Sequence, residues 1–259
     1  MIALITGASS GIGRDMARYL SQKGYDLIIN GRNEEKLQEL KNEIENGNSE
    51  RKVSIAVADL SKEEECFRLH EEVKSQFGTI NILINNAGFG LFGEFVETSL
   101  QTELEMIRTN VEAVHILTKL FLKDMQKENE GRILNVASVA GFMPGPLMST
   151  YYSTKNYVFR LSQAIKKELS KKHSNVKISV LCPGPVATNF NNVAGVKFSL
   201  KEASSEKVAK YAIDCMLRGK FKIIPRLEIK LIRIASKIFP DELMAEISYH
   251  TQKRKNERK

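Results

Sequence analysis

Apolar positions along this chain fall into two patterns. Seven short runs, IALIT (2–6), DLIIN (26–30), VSIAVA (53–58), INILIN (80–85), RILNVA (132–137), KISVLC (177–182) and FKII (221–224), read as strands. Amphipathic stretches between them, over about 12–23, 34–45, 62–76, 100–127, 151–172 and 205–218, read as helices. Strands that alternate with helices are joined by crossovers, which make neighbouring strands parallel and cover both sheet faces. The expected fold class is α/β: a doubly wound parallel sheet of seven strands with helices on both faces, in a single domain. In such a sheet ligands bind beyond the carboxyl ends of the strands, so the residues that follow strands are the ones to inspect.

The pattern continues past the last strand. Leu227, Leu231, Ile234 and Ile238 follow helical spacing, and Arg226, Lys230, Arg233 and Lys237 form a basic stripe one residue offset. Ile229, Ile232 and Phe239 widen the apolar face. This predicts an amphipathic basic helix ending near Pro240, then a second helical segment and a charged tail. Residues 1–225 are expected to form the catalytic body and 226–259 a basic helical extension of the same domain. The extension has three possible roles: to pack on the domain with its charges in water, to cover a substrate cleft or contact another subunit, or to lie on an anionic membrane. The first two are favoured over the membrane, because a domain surface lies within reach of the apolar residues.

Composition sharpens this picture in two places. Of the net charge of +8, +6 lies from Gly219 onward, where eleven Lys or Arg face five Asp or Glu. A nearly neutral body argues against a nucleic-acid groove across the fold. Cys66, Cys182 and Cys215 are odd in number with no C-x-x-C pair, and an apolar strand starting at residue 2 leaves no room for a cleavable signal. A reducing cytoplasm is the expected location. His70, His115, His173 and His250 lack metal-ligand spacing, so no metal site is expected and these histidines read as surface or packing residues.

Three stretches carry candidate chemistry. TGASSGIG, Thr6 to Gly13, follows the first strand and leads into a helix. Its glycines at 7, 11 and 13 let the backbone approach a pyrophosphate held by the positive helix end. In YYSTK, 151–155, side chains four apart share a helix face, so Tyr151 rather than Tyr152 looks at Lys155. A nearby ammonium lowers the pKa of a phenol, which suits a proton donor working near neutral pH. The second strand ends in Asn30, Gly31 and Arg32 with no acid at its tip. An arginine there grips a 2′-phosphate where a carboxylate would bond a ribose hydroxyl, so NADP(H) is favoured over NAD(H).

Taken together, these motifs and several others appear in an order that resembles the short-chain dehydrogenase/reductase family over nearly the whole length. TGASSGIG is similar to its glycine motif, contributing Gly7, Ser9, Ser10, Gly11, Ile12 and Gly13, and NNAG at 85–88 to its structural motif, with Asn86, Ala87 and Gly88 beside the cofactor. Asn110, Ser138, Tyr151 and Lys155 match its catalytic tetrad. Asp59 and Leu60 match its adenine contact, and PGPVAT at 183–188 resembles the segment over the nicotinamide, with Pro183, Gly184, Val186 and Thr188.

The resemblance implies a Rossmann-type NADP(H)-dependent oxidoreductase transferring hydride between nicotinamide and a carbonyl or secondary alcohol. Tyr151 is the implied general acid/base, Ser138 holds the carbonyl oxygen, Lys155 tunes the tyrosine and bonds the nicotinamide ribose, and Asn110 keeps a water near the lysine. Tyr152 is expected to line a pocket or pack. Residues 186–205 fall at the family's substrate loop, where Phe190, Val193, Val196, Phe198 and Leu200 suggest a moderately apolar carbonyl substrate. A homo-oligomer, dimer or tetramer, is implied as well. Two alternatives stay open: a catalytically idle NADP-binding sensor or scaffold, and a reductase of acyl-thioester 3-oxo groups.

Overall fold

The computed structural model of the chain describes residues 1–190, 194–195 and 202–256. Each apolar run becomes a strand: β1 (Ile2–Ile5), β2 (Asp26–Gly31), β3 (Val53–Val57), β4 (Ile82–Asn85), β5 (Arg132–Val136), β6 (Lys177–Leu181) and β7 (Lys222–Ile223). They pair in parallel in one Rossmann-type sheet of order β3-β2-β1-β4-β5-β6-β7. The order reverses between β1 and β4, where Ile5 lies level with Ile29 on one side and Ile84 on the other. A crevice opens at their carboxyl ends, the place where such sheets take ligands.

Successive strand residues point to opposite faces, and both faces are buried. Ile5, Ile29, Ile84, Leu134 and Leu181 pack against Met16 and Leu20 of helix α1 (Gly11–Gln22), Leu37 and Leu40 of α2 (Glu34–Gly47) and Ile213 of α7 (Ser205–Leu217). Their neighbours Leu4, Ile28, Leu83, Ile133 and Ile178 face Leu69 and Val73 of α3 (Glu63–Phe77), Phe121 of α5 (Ala113–Glu128) and Leu169 of α6 (Ser149–Lys171). Each fully buried Leu or Ile contributes about 1.5–3 kcal/mol by leaving water, which is why both strand faces tolerate so few polar residues. His70 packs in this layer, edge-on to Phe121, with Nε2 2.7 Å from the Asp124 carboxylate.

The stretch expected to be one helix over 100–127 is interrupted. α4 (Leu100–Ile107) passes into a π-helical turn (Arg108–Glu112) before α5 begins. Asn110 sits fully buried on that wider turn, where its side chain is held by partners outside the helix. Apolar periodicity does not register such a turn.

After β7 the chain forms α8 (Leu227–Ile238) and α9 (Asp241–Asn256). The faces of α8 follow the expectation only in part: Ile229 and Ile232 turn inward, but so does Arg233 of the basic stripe, while the leucine and isoleucine row turns out. Leu227, Leu231, Ile234 and Ile238 are 54–69% exposed, whereas Ile229 and Arg233 are buried and Ile232 is half-buried. Ile229 and Ile232 join Phe142, Phe159, Val180 and Ile224 in a small core. The Arg233 guanidinium lies over Phe142 at 4.9 Å and Phe159 at 5.4 Å from the ring centroids. An arginine stem and planar head can cover an aromatic wall as leucine would, so the apolar stripe alone does not identify the inner face. Among the described residues no helix is long and apolar enough to cross a membrane, and the three cysteines are buried free thiols.

Candidate active site

The glycine motif is locked to the NNAG segment by a few hydrogen bonds. Thr6 Oγ1 accepts from the backbone N–H of Asn86 at 3.0 Å and of Ala87 at 3.1 Å, while Asn86 Nδ2 donates to the carbonyls of Thr6 and Gly7. Gly7 has φ 64°, and a Cβ there would lie 2.8 Å from Ala87 Cα, so a side chain is excluded both by conformation and by space. Gly13 is closed off by space alone, against Asn86 Nδ2 and Gly7 O. α1 starts at Ser10 without a side-chain cap, leaving its first amides and its positive end toward the crevice. A Gly11 Cβ would meet the Thr188 side chain at 3.0 Å, which sets PGPVAT over the same loop.

Tyr151 and Lys155 occupy one buried face of α6, and Ser138 caps the short 3₁₀ turn Val139–Phe142 after β5, its Oγ accepting from Ala140 N at 3.2 Å. Lys155 Nζ donates to the Val136 carbonyl at 3.0 Å and stands 5.9 Å from the Tyr151 ring centroid. The expected effect of this lysine on the phenol is not present in this geometry. Burial pushes the Tyr151 phenol above its ordinary pKa, Ser138 acts in the opposite direction, and Tyr152 adds to the rise. Burial also pulls Lys155 down from 10.5 to about 8, with Cys182 opposing. Both groups are desolvated, and desolvation disfavours the phenolate and the ammonium alike.

Asn110 donates from Nδ2 to the Phe89 carbonyl at 2.8 Å and to Thr154 Oγ1 at 3.2 Å, and its Oδ1 accepts from Phe89 N at 3.1 Å. These bonds tie the π-turn to α6 and to the segment after NNAG. A Cβ at Gly88 would lie 2.7 Å from Asn110 Oδ1 and 3.3 Å from Lys155 Nζ, so Gly88 packs against both side chains.

Most of these residues border one cavity of about 650 Å³. Of the residues singled out from the sequence, Gly7, Ser9, Ser10, Gly11, Ile12, Arg32, Asp59, Leu60, Asn86, Ala87, Gly88, Ser138, Tyr151, Lys155, Pro183, Gly184, Val186 and Thr188 line it. Gly13 and Asn110 do not; they lie behind its wall. At the β2 end the cavity also meets Lys36, a second cation one turn into α2, which sequence reading missed although it follows Arg32 by four residues. Across from Arg32, Asp59 accepts from the Ser61 amide and hydroxyl. Burial would raise its pKa, but these bonds and Arg32 more than offset that, and the carboxyl stays below its usual value.

At the other end the walls are apolar: Phe89, Met143, Met148, Phe190, Ile232 and Met244. Phe190 lies 5.4 Å from Tyr151, ring centre to ring centre, and the surrounding loop is pinned where Ala187 N donates to Ala203 O and Ala203 N to Pro185 O. Val193, Val196, Phe198 and Leu200 fall outside the described residues. The rest of the wall comes from the C-terminal helices. Ile229 lies against Gly184, where an added Cβ would approach its Cδ1 to 2.6 Å. Tyr152 does line the cavity, and its hydroxyl accepts from Gln252 Nε2 at 2.7 Å. Met244, Ser248 and Gln252 recur every four residues on one face of α9, but two of the three are polar, so apolar periodicity does not mark that face.

Comparison with known proteins bears on the family and the fold. The family model for short chain dehydrogenase matches residues 1–197. An uncharacterized oxidoreductase of Staphylococcus saprophyticus is 31% identical over 215 residues, 82% of this chain and 91% of that protein. A short-chain dehydrogenase from Sphingobium yanoikuyae, solved in complex with NADPH, superposes with a TM-score of 0.83 at 29% identity, covering 94% of each chain. A short-chain dehydrogenase/reductase from Burkholderia phymatum, solved with NAD, gives 0.83 at 25% identity, covering 94% of this chain and 95% of its own. With the family match spanning most of its length, this chain belongs to the short-chain dehydrogenase/reductase family of oxidoreductases.

Proposed function

We propose that the protein is an NADP(H)-dependent carbonyl reductase, running in reverse as a secondary-alcohol dehydrogenase, for apolar carbonyl compounds. The observation that carries this reading is the meeting of Ser138, Tyr151 and Lys155 in one cavity with Arg32 and Lys36 at its far end. The glycine cradle, which a Cβ at Gly7 would fill, and the uncapped start of α1 suit a dinucleotide pyrophosphate. Arg32 and Lys36 suit a 2′-phosphate. Asp59 is held by the Ser61 amide and hydroxyl, with Arg32 near enough to lower its pKa. The Sphingobium and Burkholderia proteins were solved with NADPH and NAD, and the reading for NADP(H) here rests on the two cations.

The cofactor, when bound, supplies a hydride to the carbonyl carbon. Tyr151 gives its hydroxyl proton to the carbonyl oxygen, and Ser138 donates a hydrogen bond to that same oxygen as charge develops on it. Lys155 would hold the cofactor ribose and, from that place, stabilise the phenolate left behind. Asn110 holds the segment after NNAG and α6 at a fixed separation, so the lysine keeps its reach. Phe190, Met148, Ile232 and Met244 exclude water from the reacting end and suit a bulky apolar body, with Tyr152 and Gln252 offering one polar contact.

An aldehyde and ketone panel ordered by bulk, followed by NADPH oxidation, tests the reading. Turnover should rise with apolar bulk and vanish in Tyr151→Phe. A protein that binds NADPH tightly but reduces no member of the panel is a sensor or scaffold, and the enzyme reading then fails.

A further inference from the structure

The outer face of α8 takes no part in the cavity. Leu227, Leu231, Ile234 and Ile238 recur at helical spacing, so they form one row, and each is more than half exposed. Exposed apolar residues scattered singly need no explanation, but a continuous row on one helix does. The row leads to Phe239, which lines the cavity while 49% of it faces solvent. Ile247 on α9 does the same at 51%, and Leu243 nearby is 44% exposed. Lys230 and Lys237 flank one edge of the row, both exposed, and among the described residues neither makes an ion pair. α8 is therefore a wall one helix thick, with Ile229 and Ile232 facing the cavity and an apolar row bordered by lysines facing out.

We propose that this outer face docks on an anionic lipid surface. Leu227, Leu231, Ile234 and Ile238 enter the headgroup and acyl boundary, Lys230 and Lys237 stand among the headgroups, and the rim at Phe239 and Ile247 opens toward the lipid. A second copy of the chain fits the observations less well. Seated on the row it would cover Phe239 and Ile247 and close the cavity they rim. In an antiparallel two-fold contact it would also set Lys230 and Lys237 against the same residues of its twin. Lipid takes the apolar row and neutralises the lysines together. Docking itself does not depend on the reductase reading; uptake of an apolar carbonyl compound from the bilayer does.

The test uses the full chain with vesicles of phosphatidylcholine alone or mixed with phosphatidylglycerol, sedimented at low and high salt without substrate. Two double variants accompany it, Leu231→Ser with Ile234→Ser and Lys230→Gln with Lys237→Gln. None of these residues lines the cavity, so NADPH affinity, measured in parallel, should be unchanged. The intact protein is expected to bind the anionic vesicles, less so as salt rises. The glutamine pair should weaken binding roughly 30-fold, from about fivefold per lysine near an anionic surface, and the serine pair should abolish it. Absence of vesicle binding overturns the proposal, as does binding that both variants retain. A lipid-free dimer that the serine pair dissociates, seen by sedimentation velocity, assigns the row to a protein contact and overturns it too. Because no step needs turnover, failure here leaves the reductase reading standing, and an inactive protein that binds vesicles separates the two in the other direction.

Discussion

Gln252 on α9 and Tyr152 on α6, a hundred residues apart in sequence, meet through a 2.7 Å hydrogen bond from Nε2 to the phenolic oxygen. The bond closes the last described helix onto the residue beside the proposed acid. Its neighbour Tyr151 faces Lys155 instead, so two adjacent tyrosines serve two different walls of one cavity.

Conservative substitution of each tyrosine should therefore give different losses. Tyr151→Phe removes the proton donor and is expected to abolish nearly all turnover with NADPH affinity close to normal. Tyr152→Phe removes an acceptor from Gln252, which should cost about 1 kcal/mol of stability and shift KM more than kcat. Steady-state kinetics and thermal unfolding of both variants decide this, and equal losses of kcat would contradict the assignment.

Cofactor choice should reside in two cations. Arg32→Ala is expected to weaken NADPH by about 1.5–3 kcal/mol, the range for a charged hydrogen bond, and to leave NADH nearly unchanged. Lys36→Ala should act in the same direction and less strongly, since lysine meets phosphate as a point charge without a bidentate fork. Titration calorimetry with the two dinucleotides gives the ratio directly, and an unaltered preference in both variants would remove the 2′-phosphate assignment.

Lys155 predicts a pH dependence. In the folded chain its pKa is depressed from 10.5 to about 8 by burial, so below pH 8 folding buries a charge that the unfolded chain leaves in water. That penalty, on the order of 3 kcal/mol at most, disappears between about pH 8 and 10.5, where the unfolded chain holds the proton and the folded chain does not. Lys155→Met should accordingly stabilise the cofactor-free protein below pH 8, with the advantage shrinking across that window. Denaturant midpoints for both proteins from pH 7 to 10.5 measure it; a difference independent of pH would mean the side chain is not desolvated as described.

The C-terminal helices should prove integral to the fold. Ile229→Ala opens a gap beside Gly184 and is expected to cost about 2–5 kcal/mol, the range for deleting a buried isoleucine side chain. Deleting 227–259 uncovers Phe142 and Phe159 as well and should lower both stability and substrate affinity in lipid-free buffer. A truncated protein with intact melting temperature and KM would show that the wall is dispensable.

The sheet was legible because strands buried on two faces are written as unbroken apolar runs; the candidate site was drawn from the glycines after a strand and from Tyr151 and Lys155 on one helix face, with Ser138 entering only through the family resemblance. What was hidden has physical reasons. The π-turn at Asn110 leaves the apolar periodicity of its neighbours intact. On α8 the inward turn of Ile229 and Ile232 was within the expected apolar face, but that of Arg233 was not, because its guanidinium covers aromatic rings as an apolar side chain would. Desolvation of the tyrosine and lysine depends on depth, which spacing along a helix does not encode. Lys36 needed the fold of α2 to bring it round to Arg32.

Ile229 rests on Gly184, within the segment over the cofactor crevice, while Gln252 grips Tyr152 above the reacting end. Two consecutive helices, joined through Phe239 and Pro240, thus lean on the two compartments, and a ligand that shifts them together in either compartment does thermodynamic work in the other. Linkage then requires reciprocity: whatever factor an apolar ketone contributes to dinucleotide affinity, the dinucleotide contributes to ketone affinity. Binding order would be a kinetic choice laid over a symmetric equilibrium, and Ile229→Ala, by slackening the shared strut, should bring that common factor toward unity from both sides at once.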